Sequence, residues 1–198
     1  MTTQIHFVLD RSGSMSDGLN DYLGGFNAFL DSQSKENSDE VLMSLYQFDH
    51  DYEIVYQDVP LKEVKKLTKD TFVPRGRTAL FDAIGETLDN IKAKENESVI
   101  IVVLTDGEEN ASSEFTGKRI SKMISKKKEL GWEFVYLGAN QDAILEGSKL
   151  GINNQSSRTF QVDKEGIEKC FSSLSQAVSD YRKTPMKKRK EKGVSFAN

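Results

Sequence analysis

Asp10, Ser12 and Ser14 sit at alternating positions in DRSGS, directly behind the short apolar run IHFVL (Ile5–Leu9). A second acid, Asp106, stands in TDG behind the longer apolar run VIIVVL (Val99–Leu104), and Thr78 lies between them in GRTAL. These are hard oxygen donors. Two carboxylates brought together repel, and a divalent cation is the simplest means of keeping both ionised. Mg²⁺ asks for near-octahedral oxygen ligation and keeps several waters, so a site with few anionic ligands suits it. Two carboxylates and three neutral hydroxyls would leave such an ion electrophilic, with a coordination position open to a carboxylate from outside.

That chemistry needs elements that bring distant residues together. Strand-like and helix-like patterns alternate along the chain. Ile5–Leu9 reads as a strand, and Leu19, Tyr22, Leu23, Phe26, Phe29 and Leu30 recur at the three- and four-residue steps of an amphipathic helix. Val41–Phe48 and Glu53–Val59 flank a turn and predict an antiparallel hairpin. Pro60–Arg77 is less regular, with one short helix expected near Leu61–Leu67. A helix follows on Leu80, Ile84, Leu88 and Ile91, with Thr78 as its expected N-cap. Val99–Leu104 lacks polar alternation, as a strand buried on both faces of a parallel sheet does. Beyond it come a helix around Glu114–Leu130, a strand at Glu133–Leu137, a short helix near Gln141–Leu150 and a strand at Arg158–Val162. A last helix carries Ile167, Cys170, Phe171, Leu174, Val178 and Tyr181 on one face and ends before Pro185. The expected fold is α/β: a doubly wound, mostly parallel sheet of about six strands with one antiparallel edge strand and helices on both faces. In such sheets ligands bind outside the carboxyl ends of the strands, where the strand order reverses. If the strands ending in Asp10 and Thr105 are neighbours, both acids share that crevice.

The composition excludes several other functions. The chain has 198 residues, with 37% hydrophobic and 29% charged, enough for one domain, expected over 1–184. One Cys and two His exclude a disulfide framework within the chain and a Cys/His zinc site. Val99–Leu104 is too short to span a bilayer, and the N-terminus shows no secretory signal, so the expected location is the cytoplasm, with no membrane contact. There is no phosphate-binding GxxxxGK[ST] loop and no GxSxG elbow around Ser14. Cys170 and His6 are expected in the core, and His50 in the hairpin turn. The net charge is −4, yet Arg182–Lys192 holds seven basic residues against Glu191 alone, which leaves an acidic body. Residues 185–198 are expected to form a flexible basic tail, and any nucleic-acid contact would fall to it.

The arrangement Asp10-x-Ser12-x-Ser14, then Thr78, then Asp106 followed by Gly107, resembles the metal-ion-dependent adhesion site (MIDAS) of the von Willebrand factor A (vWA) domain, a Rossmann-like fold. The resemblance runs from Ile5 to about Tyr181, and each motif falls at the expected end of its element. It implies Mg²⁺ or Mn²⁺ held by Asp10, Ser12, Ser14, Thr78 and Asp106, with an acidic side chain of a partner completing the shell. Integrin β-type relatives carry adjacent acids after the first motif that hold a second cation. This chain has Asp17 and then Gly18, which argues against a second ion. The single-domain architecture suggests, by analogy, a bacterial or phage source.

Arg11, Arg75 and Arg77 are expected on loops at the rim, with Arg11 the most exposed and Glu108 beside them. They either form a positive collar that selects an acidic or phosphorylated ligand or pair with Glu108, Glu109, Asp49 or Asp51. The functional expectation is a monomeric, non-enzymatic, Mg²⁺-dependent adaptor or assembly factor that binds an exposed Asp or Glu of a partner protein. Two alternatives are a metal-dependent phosphohydrolase and nucleic-acid or ribonucleoprotein binding through the tail. The first needs an acid two residues after Asp10, where Ser12 stands.

Overall fold

The computed structural model describes residues 2–36, 38–139 and 142–196, with the Lys190 side chain outside that description. The alternating pattern folds into one six-stranded sheet in the order β3-β2-β1-β4-β5-β6. β1 (Thr2–Asp10) lies parallel to both β2 (Glu40–Phe48) and β4 (Glu97–Thr105), and β3 (Tyr52–Pro60) returns antiparallel at the edge. β5 (Glu133–Ala139) and β6 (Ser157–Phe160) extend the parallel side. The expected fold class is the observed one.

Every residue from Ser98 to Thr105 is buried because β4 is covered on both faces. Ile100, Val102 and Leu104 face one core with Phe7, Phe26, Phe29 and Phe171, under α1 (Leu19–Lys35) and α5 (Lys164–Lys183). Val99, Ile101 and Val103 face the other core with Ile84, Leu88, Ile120 and Ile124, under α2 (Leu80–Asn90) and α3 (Gly117–Glu129). The predicted apolar face of α5 is buried throughout, Cys170 included, and burial pushes its thiol up to about 12. α4 (Ala143–Lys149) flanks β5 and β6; Gln141, where this helix was expected to begin, lies outside the described residues. Leu61–Leu67 is a single 3-10 turn at Leu61–Glu63 rather than an α-helix.

The basic C-terminal segment is folded over its described residues, against the expectation of a flexible tail. α6 (Met186–Lys192) presents Lys187, Lys188 and Lys192 to solvent but buries Arg189. Arg189 Nη1 donates to Thr3 Oγ1 (3.1 Å) and Ser98 Oγ (2.9 Å), its Nε donates to the Thr184 carbonyl (2.9 Å), and its guanidinium lies over the Tyr181 ring. Asp39, also buried, pairs with Arg182 at 2.9 Å and Arg189 at 3.5 Å. Thr3, Ser98 and Asp39 lie far away in sequence, so Arg189 reads as one more solvated cation within a basic run. Among the described residues no helix is long and apolar enough to cross a membrane.

His6 lies in the middle of β1, fully buried, with Nδ1 3.1 Å from Tyr46 Oη and Nε2 2.9 Å from Gln4 Oε1. Burial lowers its pKa from 6.5 to about 3. Below pH 6.5 the unfolded chain takes up a proton that the folded chain refuses until about pH 3, so this residue costs stability as pH falls through that window. Between pH 7 and pH 5 the loss should be about 2 kcal/mol. Urea unfolding at both pH values should show a gap smaller by about that amount in His6→Gln than in the unsubstituted protein. An equal gap in both proteins would refute the assignment.

Candidate metal centre

The strand order reverses between β2 and β4 on either side of β1, and the crevice at that switch point is where this fold binds ligands. β1 and β4 run in parallel with Leu9 opposite Leu104, so Asp10 and the Thr105–Asp106 pair emerge side by side at the carboxyl edge. The Asp10 carboxylate is fully buried, accepting from the Ser12 amide at 2.6 Å and from Thr105 Oγ1 at 2.5 Å. After Asp10 the chain turns through a 3-10 segment, Gly13–Ser16, that lifts Ser14 to the surface while Ser12 stays buried. Ser12 Oγ and Ser14 Oγ are 3.2 Å apart, and Ser14 Oγ donates to Asp106 Oδ1 at 2.6 Å.

Thr78 joins the same cluster from the loop before α2. A β-carbon added to Gly107 would lie 3.0 Å from Thr78 Oγ1 and 3.8 Å from Ser14 Oγ, so glycine at 107 keeps open the space these hydroxyls face. The structure thus brings all five predicted residues together, in a gradient from buried Asp10 at the base to exposed Ser14 at the rim. Burial raises the pKa of Asp10 to about 6 despite its hydrogen bonds, and burial also raises that of Asp106. Two acids pushed upward beside three hydroxyls, around a point that a single methyl group would crowd, form a donor set that fits a hard divalent cation.

Thr78 does not cap α2. The N-cap position is Ala79, with no side-chain cap bond. The first amides of the helix are satisfied from the loop after β4 instead. Phe81 N–H donates to Glu109 Oε2 (2.9 Å) and Asp82 N–H to Ser112 Oγ (3.0 Å). Asn110 holds Thr78 itself, accepting from its N–H and donating its own N–H to its carbonyl, both at 3.0 Å. With α2 capped from elsewhere, the Thr78 hydroxyl is left to the site. Nor does DRSGS cap α1, whose N-cap is Gly18. Thr105, Glu109 and Asn110 are site-building residues that the motif pattern does not single out. TDG hints at the first of them, but no local signal marks Glu109 apart from Glu108.

The arginine collar divides. Arg11, expected to be the most exposed, is 7% exposed. It follows Asp10 on the strand and turns toward the hairpin, where it pairs with Asp49 at 2.9 Å and with Glu53 and donates to Gln47 Oε1. Arg75 also donates to Asp49 at 2.9 Å and lies 3.6 Å from Asp51. Burial alone would raise the Asp49 pKa, but hydrogen bonds from Arg75, the Asp51 amide and Arg11 outweigh it and hold the carboxyl below its usual range. Asp49, His50 and Asp51 also bring ligand-type atoms within 4.8 Å of one another, but the Asp49 carboxylate is already committed to two guanidinium groups. Arg77 and Glu108 are exposed at the rim, and Arg77 has no ion pair among the described residues.

A parallel α/β sheet with two strand-end acids and three hydroxyls at its switch point defines a candidate divalent-metal site of the adhesion type. The sequence matches the family profile of the von Willebrand factor type A domain over residues 4–173, and the chain belongs to that family. Solved structures of the same fold include proximal thread matrix protein 1 from the mussel byssus, described with a zinc-occupied MIDAS motif. It is 16% identical, with a TM-score of 0.67 over 89% of this chain and 46% of that one. The PilB minor pilin of Streptococcus sanguinis is 12% identical (TM-score 0.62, 90% and 61% covered). The pilus adhesin SpaC of Lactobacillus rhamnosus GG is 14% identical (TM-score 0.69, 89% and 30% covered). The chain therefore spans less than half the length of the mussel protein. No curated protein sequence matches it.

The division of the collar is testable. Removing Arg11 (Arg11→Met) leaves buried Asp49 short of a partner and should cost about 3 kcal/mol in urea unfolding. Arg77→Ala should stay within about 0.5 kcal/mol of the parent. Equal losses would mean that the two arginines are not in the different environments described.

Proposed function

We propose that this domain is a non-enzymatic, Mg²⁺-dependent protein-binding module, an adaptor or assembly factor that captures an exposed Asp or Glu of a partner protein. The observation that carries this reading is the convergence of Asp10, Ser12, Ser14, Thr78 and Asp106 at the switch point, around space kept open by Gly107. These residues would hold the ion, and an ion with only two anionic protein ligands supplies a Lewis-acidic position for an incoming carboxylate. An all-oxygen donor set without Cys or His favours Mg²⁺ or Mn²⁺ over a softer ion.

The chain's own residues do the positioning. Thr105 Oγ1 and the Ser12 amide orient Asp10, Ser14 orients Asp106, and Asn110 clamps the backbone of Thr78. Position 12 carries a hydroxyl rather than the second acid that phosphoryl transfer through Asp10 would use, which supports binding rather than turnover. A cytoplasmic setting suits a chain whose single cysteine is a buried free thiol. The domain is proposed to act as a monomer.

Titration calorimetry should detect Mg²⁺ or Mn²⁺ binding at one site, abolished in Asp106→Ala and in Asp10→Ala, with circular dichroism unchanged. Gly107→Ala removes no ligand, yet its methyl group crowds Thr78 Oγ1 and should weaken the ion by about tenfold, or about 1.4 kcal/mol. Partner capture should disappear with EDTA and return with Mg²⁺. Metal binding indifferent to all three substitutions would refute the reading. Mg²⁺-dependent hydrolysis of p-nitrophenyl phosphate lost in Asp10→Asn would replace it with the phosphohydrolase alternative.

A further inference from the structure

A cavity of about 490 Å³ opens beside the metal loop and shares Gly107 and Glu108 with it. Its volume lies in the range of small-ligand pockets, about 300–1,000 Å³. Leu80 at the start of α2, Tyr136 on β5 and Leu150 after α4 are buried beneath it, and Phe81 lies half-buried at its side. Gly117, the first residue of α3, adds no side chain here. A β-carbon there would come within 3.2 Å of the Phe81 ring, so glycine leaves that ring accessible to the cavity. Charge lines the rest of the cavity, where half-buried Glu109 holds its carboxylate on the amides of Phe81, Ala111 and Ser112. Lys118 and Glu108 are exposed, and Lys149 pairs with Glu146 at 2.6 Å.

We propose that this cavity takes an aromatic side chain of the partner, tyrosine above all, from the same segment that offers its acid to the metal centre. The inference rests on the metal-dependent capture proposed above and adds a second determinant to it. Continuity with the metal loop supplies the argument for the occupant. A segment whose carboxylate reaches the space above Gly107 has this opening next to it, because Gly107 and Glu108 line both. The lining chooses the side chain. An aliphatic group would fill the apolar floor but strip water from Glu108 and Lys118 without returning a hydrogen bond, which is costly. A phenol presents a ring to Phe81, Leu80 and Leu150 and an O–H that both donates and accepts at the charged mouth. Buried aromatic anchors with polar tips dominate protein recognition for this reason.

The test uses the ¹⁵N-labelled full chain with Mg²⁺ and acetylated, amidated peptides. Each peptide holds one Asp and, after glycine spacers of graded length, either Tyr or Ala. At the best spacing the tyrosine peptide should bind at least about tenfold tighter than its alanine partner. It should shift the amides of Phe81, Gly117 and Leu150 as well as those of the metal loop. EDTA should remove the binding of both. Lys149→Trp, which plugs the mouth from an exposed position, should erase the tyrosine advantage and leave the Mg²⁺ titration unchanged. Mg²⁺ binding with no tyrosine advantage at any spacing, or tyrosine binding that ignores EDTA, overturns the cavity proposal and spares the metal reading. Failure to bind Mg²⁺ at all overturns the metal reading itself.

Discussion

The removal of two neighbouring acids, Asp10 and Asp106, from water is the constraint around which the carboxyl edge of the sheet is organised. Parallel pairing of β1 with β4 forces the two acids to emerge together, and burial opposes their ionisation. A fold that merely tolerated them would set cationic side chains against them. Arg11 and Arg75 are turned elsewhere, spent on Asp49. What surrounds the acids instead is a set of hydroxyls, from Thr105, Ser12 and Ser14, with that of Thr78 across the gap. Hydroxyls can orient a carboxylate without neutralising it, so the arrangement keeps its demand for a cation from outside the chain.

The loops around that point are held by long-range ties rather than by local turn chemistry. Glu109 and Ser112 cap α2 from the far side of the site, and Asp82 on α2 accepts in return from the amides of Ser113, Glu114 and Phe115. The α2 end and the β4 loop are thus stapled to one another, which ties Thr78 and Asp106 into one block. The Gly13 amide donates to the carbonyl of Gly76, which joins the first loop to the same block. Rigid support of this kind is what a site of scattered ligands needs if affinity is not to be lost to ordering.

The convergence of the five candidate residues was legible because their signal is periodic and local: an apolar run ending in an acid marks a strand end, and strand ends of a parallel sheet share one edge. The sheet with its antiparallel edge strand, and the apolar face of α5, were readable for the same reason. The misreadings share an opposite cause. Arg11 looks exposed beside a loop motif, although Asp49 was among its expected partners, because nothing near it in sequence shows that the pair is buried. Thr78 looks like a cap because a hydroxyl before a helix usually is one, unless a distant acid has already taken the helix amides. Arg189 looks like part of a solvated basic run because Thr3 and Ser98, its partners, lie in β1 and β4, far from it in sequence. Polar side chains whose partners are distant in sequence carry no periodicity, so their burial becomes visible only once the sheet exists.

A crystal grown or soaked with Mn²⁺ and measured at the manganese absorption edge tests the central claim most directly. The account predicts one strong anomalous peak within bonding distance of oxygens from Ser12, Ser14 and Thr78, with Asp10 and Asp106 bound directly or through water. A peak at Asp49, His50 and Asp51 instead, or none at millimolar Mn²⁺, would contradict it.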